Sequence, residues 1–176
     1  LYMLLAPGLF GADWPQLRGP NGSGLCPLCG KLPTEFGPQK NVVWKTELAP
    51  GKSSPVLVED RIFLTASEGD DLITICLSRT TGKVQWQRSV RAAKREAQHT
   101  LNHRAAPTPV TDGKSVFVFF ADFGLVAYDF EGKQRWQLPL GPFNSQHGVV
   151  ASPVYADGKV ILVCDTDTDA YIIAVQ

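Results

Sequence analysis

The chain has no net charge: 17 lysines and arginines balance 17 aspartates and glutamates over 176 residues. A nucleic-acid binder shows a clearly basic face, so nucleic acid is not an expected partner. One local excess, Arg88 to Arg104, sets five basic residues against Glu96 and reads as a solvated surface loop. Long apolar runs are missing too. Leu1 to Phe10 is apolar but falls well short of the ~20 residues a helix needs to cross a bilayer. No transmembrane span is expected. Residues 1–12 read as the remnant of a secretory signal peptide, cleaved near Ala12, with Phe10 standing where a small residue is preferred. The expected location is periplasmic or extracellular. No Gly-x-Ser-x-Gly elbow and no Walker-type phosphate loop occurs, which removes the simplest nucleophilic and nucleotide-dependent chemistries. Cysteine is scarce. Cys26 and Cys29 form one Cys-x-x-Cys, with no second pair to complete a zinc site and Gly30 where haem attachment needs histidine. The pair reads as a local loop disulfide made on export. Cys76 and Cys164 fall inside predicted strands and read as small buried apolar residues.

What the chain does have is a repeat. Ser54-Pro55-Val56, Thr108-Pro109-Val110 and Ser152-Pro153-Val154 each open a segment that passes an acidic turn into an apolar run. The first two segments close on Gly82-Lys83-Val84-Gln85-Trp86 and Gly132-Lys133-Gln134-Arg135-Trp136. The prolines are spaced by 54 and 44 residues, a period that marks propeller blades. The expected fold is all-β, a β-propeller of four-stranded blades. Residues 13–40 are rich in glycine and proline and should form an extended segment pinned by Trp14 and Phe36. Residues 41–48 read as a lone outer strand, because Trp44 overlays Trp86 and Trp136. Blades follow at 53–90 and 107–140, and an incomplete three-stranded blade at 152–176. A whole propeller needs at least about four blades, so the chain reads as a fragment whose remaining blades lie elsewhere in the full-length protein. In a closed ring the first strand would complete the last blade and remove an exposed edge.

The repeat also predicts packing. Cys76, Ala127 and Ala174 align in the third strand and should leave room for bulk from a neighbouring sheet. Trp86 and Trp136 supply that bulk between blades, each needing a partner for its indole N–H. Trp44, Gly82 and Gly132 belong to the same structural set.

Two histidines share a register. His103 stands six residues before Pro109 and His147 six before Pro153, each after an amide residue, Asn102 and Gln146. They should lie on equivalent loops of adjacent blades, where imidazoles bind a metal or hydrogen-bond an anionic ligand. The competing reading is that each satisfies loop backbone. Asp165, Asp167 and Asp169 resemble the start of a calcium loop, but Ala170 and Gln176 stand where an EF-hand needs Gly and Glu. They remain weak metal candidates beside the reading of a solvated turn. Ser53, Ser54 and Ser152 sit at inner-strand starts, where small residues fit a narrow channel. No catalytic residue is assigned.

The string Leu77-Ser78-Arg79-Thr80-Thr81-Gly82-Lys83-Val84-Gln85-Trp86 resembles the blade motif of the PQQ-binding-like propellers, and Tyr128 to Trp136 is a second copy. Asp13-Trp14-Pro15-Gln16-Leu17-Arg18-Gly19-Pro20 is similar to the start of exported bacterial members. The resemblance covers residues 13–176. It implies an eight-bladed propeller, outside the cytoplasm. One branch of that superfamily holds dehydrogenases with pyrroloquinoline quinone (PQQ) and calcium at the centre; another holds the outer-membrane assembly lipoprotein and similar scaffolds without the cofactor. The adjacent-cysteine disulfide common in the dehydrogenases is not found here. The expected function is a non-catalytic exported scaffold that engages a protein partner or small ligand through one face, with no cofactor. The alternative is part of a PQQ- and calcium-dependent dehydrogenase, with His103 and His147 near the cofactor.

Overall fold

The computed structural model describes residues 12–26, 30 and 33–176. The signal-peptide reading rests on residues outside that set, apart from Ala12, and Cys29 lies outside it as well. Cys26 is disulfide-bonded, whereas Cys76 and Cys164 are free and buried.

Eleven strands form three antiparallel sheets among the described residues. Blade one contains β1 (Val56–Val58), β2 (Arg61–Glu68), β3 (Asp71–Ser78) and β4 (Val84–Arg91). Blade two contains β5 (Val110–Thr111), β6 (Ser115–Phe120), β7 (Gly124–Asp129) and β8 (Gln134–Pro139). Blade three contains β9 (Val154–Ala156), β10 (Lys159–Cys164) and β11 (Tyr171–Val175). Strand order follows chain order in every sheet, and the short inner strands β1, β5 and β9 are neighbours. Tight turns make this meander possible. Asp157 and Gly158 both take positive φ, 49° and 72°, as a two-residue hairpin requires.

Period-two alternation gives each sheet two apolar faces. Val56, Phe63, Leu72, Cys76 and Trp86 of blade one meet Val116, Val118, Phe120, Val126 and Tyr128 of blade two in one core. The alternate residues of blade two, Phe117, Phe119, Leu125 and Ala127, meet Val160, Leu162 and Cys164 of blade three in a second. Ile62, Ile73, Ile75 and Leu77, on the far face of blade one, are covered by Trp44 and Ala49.

The tryptophans sit at a repeated irregularity. Cys76 pairs with Trp86 and Leu77 with Val84, so Gln85 is an extra residue on the outer strand. Ala127 pairs with Trp136 and Tyr128 with Gln134, making Arg135 the extra residue in blade two. Such a bulge re-aims the side chain that follows it. Trp86 is thereby turned toward blade two, 8% exposed, with ring centroids 5.8 Å from Phe63 and 5.9 Å from Tyr128. Its indole N–H donates to Phe130 O at 2.8 Å. Trp136 stacks on Phe117 at 5.8 Å. The small third-strand residues therefore make room differently from the expectation. Cys76 and Ala127 lie opposite the tryptophan of their own blade, and Ala174 lies opposite Ile161.

Gly82 and Gly132 explain the Gly-Lys turn. Both have positive φ, and a Cβ on Gly132 would stand 2.8 Å from the Trp86 ring; one on Gly82 would stand 2.5 Å from Trp44. The ring lies on bare backbone, so a larger residue fails on both counts. Trp44 repeats the Trp86 pattern by donating to Arg79 O at 3.0 Å, and Thr46 Oγ1 donates to Gly82 O at 2.7 Å. The strand expected over 41–48 does not form, however: no ladder includes these residues. Their side chains dock on blade one, but among the described residues no third strand of a preceding blade is present for the backbone to pair with. Phe36 is not a pin either, being 81% exposed.

Candidate functional site

Strand order assigns the loops to two ends. The turns within β1–β2 and β3–β4, with their blade-two counterparts and the β9–β10 turn, share one end. The β2–β3, β6–β7 and β10–β11 turns share the other with the crossing loops 92–109 and 140–153, which carry the chain from an outer strand to the next inner strand.

At the first end the inner strands are covered by the N-terminal segment. Trp14 and Leu57 exchange backbone hydrogen bonds at 2.8 and 3.0 Å, Thr111 N–H donates to Pro15 O at 3.0 Å, and Glu59 N–H donates to Asp13 Oδ1 at 3.0 Å. The segment thus satisfies free donors and acceptors on inner strands that would otherwise stay unpaired. Pro15, Gln16, Pro20 and Asn21 then face Val154 and Tyr155 of blade three across a groove of about 590 Å³.

The crossing loops occupy the second end and hold the histidines. His103 is half-buried and accepts the Ala105 N–H on Nδ1 at 3.2 Å. Burial first, then the charges of Lys52 and Arg104, hold its pKa below the ordinary histidine value. His147 is exposed. Its ring partner is His99, a residue the register argument passed over, at a centroid distance of 5.5 Å. Asn102 Nδ2 donates to His147 O at 2.6 Å, so this amide stitches one crossing loop to the other. The Gln146 N–H donates to Asp167 Oδ2 at 2.8 Å, and Asp167 N–H returns a bond to Asn144 O at 2.7 Å. Asp169 Oδ2 accepts from the Thr168 hydroxyl at 2.9 Å. Asp165 is exposed beside His147 in the same groove. Among the described residues no group of three or more His, Cys, Asp or Glu side chains comes together to hold a metal ion.

The acids on this end do a different job. Asp122, in the β6–β7 turn, is 3% exposed. It pairs with Arg104 and accepts the Glu96 N–H at 2.8 Å. Glu96 in turn pairs with Lys94 at 3.2 Å and accepts the Phe143 N–H at 2.9 Å. The Glu96–Asp122 bond in blade two and the Gln146–Asp167 bond in blade three are equivalent: each ties a crossing loop to the outer turn of the blade it enters. The basic stretch 88–104 is therefore not simply solvated. Arg91 and Arg95 meet Asp70, Lys94 meets the half-buried Glu96, and Arg104 meets the buried Asp122. Glu96, His103, Arg104 and Asp122 line a small open cleft of about 20 Å³, room for one water.

A second repeated device is a hydroxyl belt. Ser54 N–H donates to Thr108 Oγ1 at 3.0 Å, and Thr108 N–H donates to Ser152 Oγ at 2.9 Å. The residue before each Pro-Val thus carries one link from blade to blade. The sequence showed that these positions are small; their hydroxyl content was the unused signal.

Known proteins share this fold. The model of a PQQ-repeat family described as outer membrane protein assembly factor BamB matches residues 37–175. The chain belongs to this family. No curated protein matches it significantly. Among solved structures, BamB from Moraxella catarrhalis superposes with a TM-score of 0.54 at 16% identity, over 70% of this chain and 37% of that one. A europium-containing methanol dehydrogenase superposes with 0.54 at 14% identity, over 73% and 23%. The quinohemoprotein alcohol dehydrogenase from Comamonas testosteroni gives 0.52 at 18%, over 72% and 19%. At these identities the BamB-like family shares the propeller fold with dehydrogenases, and the chain spans well under half the length of each.

Proposed function

We propose that this BamB-like chain is part of an exported scaffold that binds a protein partner through its crossing-loop end. The observation that carries the reading is the asymmetry of the two ends. At one, the inner strands β1 and β5 are covered by the N-terminal segment, bonded through residues 13–15. The other presents irregular loops on a rigid sheet frame, the usual place for recognition. Export is supported by the family and by the disulfide at Cys26. Among the described residues no helix is long and apolar enough to cross a membrane.

PQQ and calcium form the rival reading, with which the shared fold of the two dehydrogenases is compatible. The described residues do not fit the metal. Calcium takes roughly six to eight oxygen ligands, several of them from carboxylates. Here Asp70, Asp122 and Asp167 are engaged by arginines or backbone N–H groups. Donors would have to come from other blades.

The two are separated by placing a photo-crosslinking residue at Gln98 or Asn144, on the crossing-loop end, and at Lys114 or Asp157, on the covered end, of the full-length protein. Crosslinks to a defined partner from the first pair alone are expected. Crosslinks from the covered end alone, or stoichiometric PQQ binding with calcium-dependent alcohol oxidation, would replace the scaffold reading.

A further inference from the structure

His99 and His103 make the same unusual contact. Leu101 N–H donates to His99 Nδ1 at 3.2 Å, and Ala105 N–H donates to His103 Nδ1 at 3.2 Å. A ring nitrogen that accepts carries no hydrogen, so this contact requires the neutral tautomer with its hydrogen on Nε2. Protonation would place a hydrogen on Nδ1 and turn each acceptor into a donor facing a donor. The two rings lie on one loop, and that loop is joined to the next at His147. His147 O accepts from His99 N–H at 3.2 Å and from Asn102 Nδ2 at 2.6 Å, while the His99 and His147 rings meet edge to face at 5.5 Å.

We propose that the loop 92–109 is a proton-operated latch on the crossing-loop end, closed while Nδ1 of His99 and of His103 each accepts an N–H and released when those nitrogens take up a proton. The proposal rests on the reading that this end engages the partner, because that is the surface it reshapes. The surroundings do little to absorb the new charge. His103 faces Lys52 from the segment before β1 and Arg104 from its own loop, with Glu96 and Asp122 across the small cleft. Both acids are already committed, Glu96 to Lys94 and Asp122 to Arg104. His99 faces the His147 ring itself. Asp165 and Asp167 line the groove beside His147 and offset charge there only. The sign follows from the lowered pKa of His103. Its neutral form is favoured by folding, so its contribution is full above the ordinary histidine value of about 6.5 and is lost as pH falls through the lowered value.

Amide hydrogen exchange on the full-length protein between pH 8 and pH 5, corrected for intrinsic rates, tests the latch. Leu101 and Ala105 should each lose about fivefold in protection, the worth of one hydrogen bond. Lys114 and Ser115, whose N–H groups are held by the Asp112 carboxylate at 2.8 and 2.6 Å, should keep theirs. Asparagine offers the same acceptor to the N–H two residues on and does not titrate, so the double variant His99→Asn/His103→Asn should stay protected at pH 5. Unchanged protection in the native protein, or an equal loss in the double variant, overturns the proposal. Exchange needs no partner, so its outcome is independent of the crosslinking result.

Discussion

Trp86 shows how much one residue carries. Its ring fills the gap between Phe63 of its own sheet and Tyr128 and Phe130 of the next, and its N–H closes the turn that Gly132 keeps bare. Trp86→Ala should cost roughly 3–5 kcal/mol, read from the urea midpoint of the full-length protein. A loss under about 0.5 kcal/mol would mean that the interface does not depend on it. Cys76, directly opposite, is the complement of that ring; burial pushes its thiol pKa up to about 12, which marks it as packing rather than chemistry. His99 is the contrary case. Alone in the sequence it had no register partner, and only the approach of loop 140–153 gives it one.

At the scale of elements, turns are held by side chains as much as by ladders. Asp60 accepts the Thr80 hydroxyl at 2.7 Å, the Thr80 N–H at 2.8 Å and the Ser78 hydroxyl at 3.0 Å, closing the β3–β4 turn from the β1–β2 turn. The Thr80 hydroxyl bond is the main reason its pKa lies below the ordinary aspartate value, with burial opposing. A carboxylate stabilised in the folded state contributes fully above the unfolded value of 3.8 and loses that contribution as pH falls through the lowered one. Asp60→Asn should therefore flatten the acid limb of a stability–pH curve below about pH 4. An unaltered limb would remove Asp60 from the account. The strand predicted at 41–48 belongs to this scale as well. Its pattern was correct for side-chain docking, as Trp44 shows, but a strand needs a backbone partner that side-chain pattern cannot supply.

For the whole molecule, the blades are tied three times over: by alternating apolar faces, by the hydroxyl belt through Ser54, Thr108 and Ser152, and by acids that anchor each crossing loop. The N-terminal segment adds a cover at one end. Deleting residues 12–24 should raise exchange at Leu57 and Thr111, whose N–H groups bond Trp14 and Pro15, by about tenfold. Ser54 and Thr108, bonded within the belt, should be unaffected. If the belt amides open as well, the segment is part of the frame rather than a cover.

The repeat, the all-β fold and the Gly-Lys-x-x-Trp turn were legible in the sequence, because each depends on local spacing: alternation for strands, glycine for positive φ, tryptophan for interface bulk. The site was only partly legible. Register placed His103 and His147 on the same end, since equal offsets in a repeat give equal positions. It could not pair His147 with His99, show Asp122 buried beneath Arg104, or reveal that Nδ1 of two histidines is already occupied. Those contacts join residues from different blades, and their distances are set by how the sheets pack. Tertiary structure alone decides them.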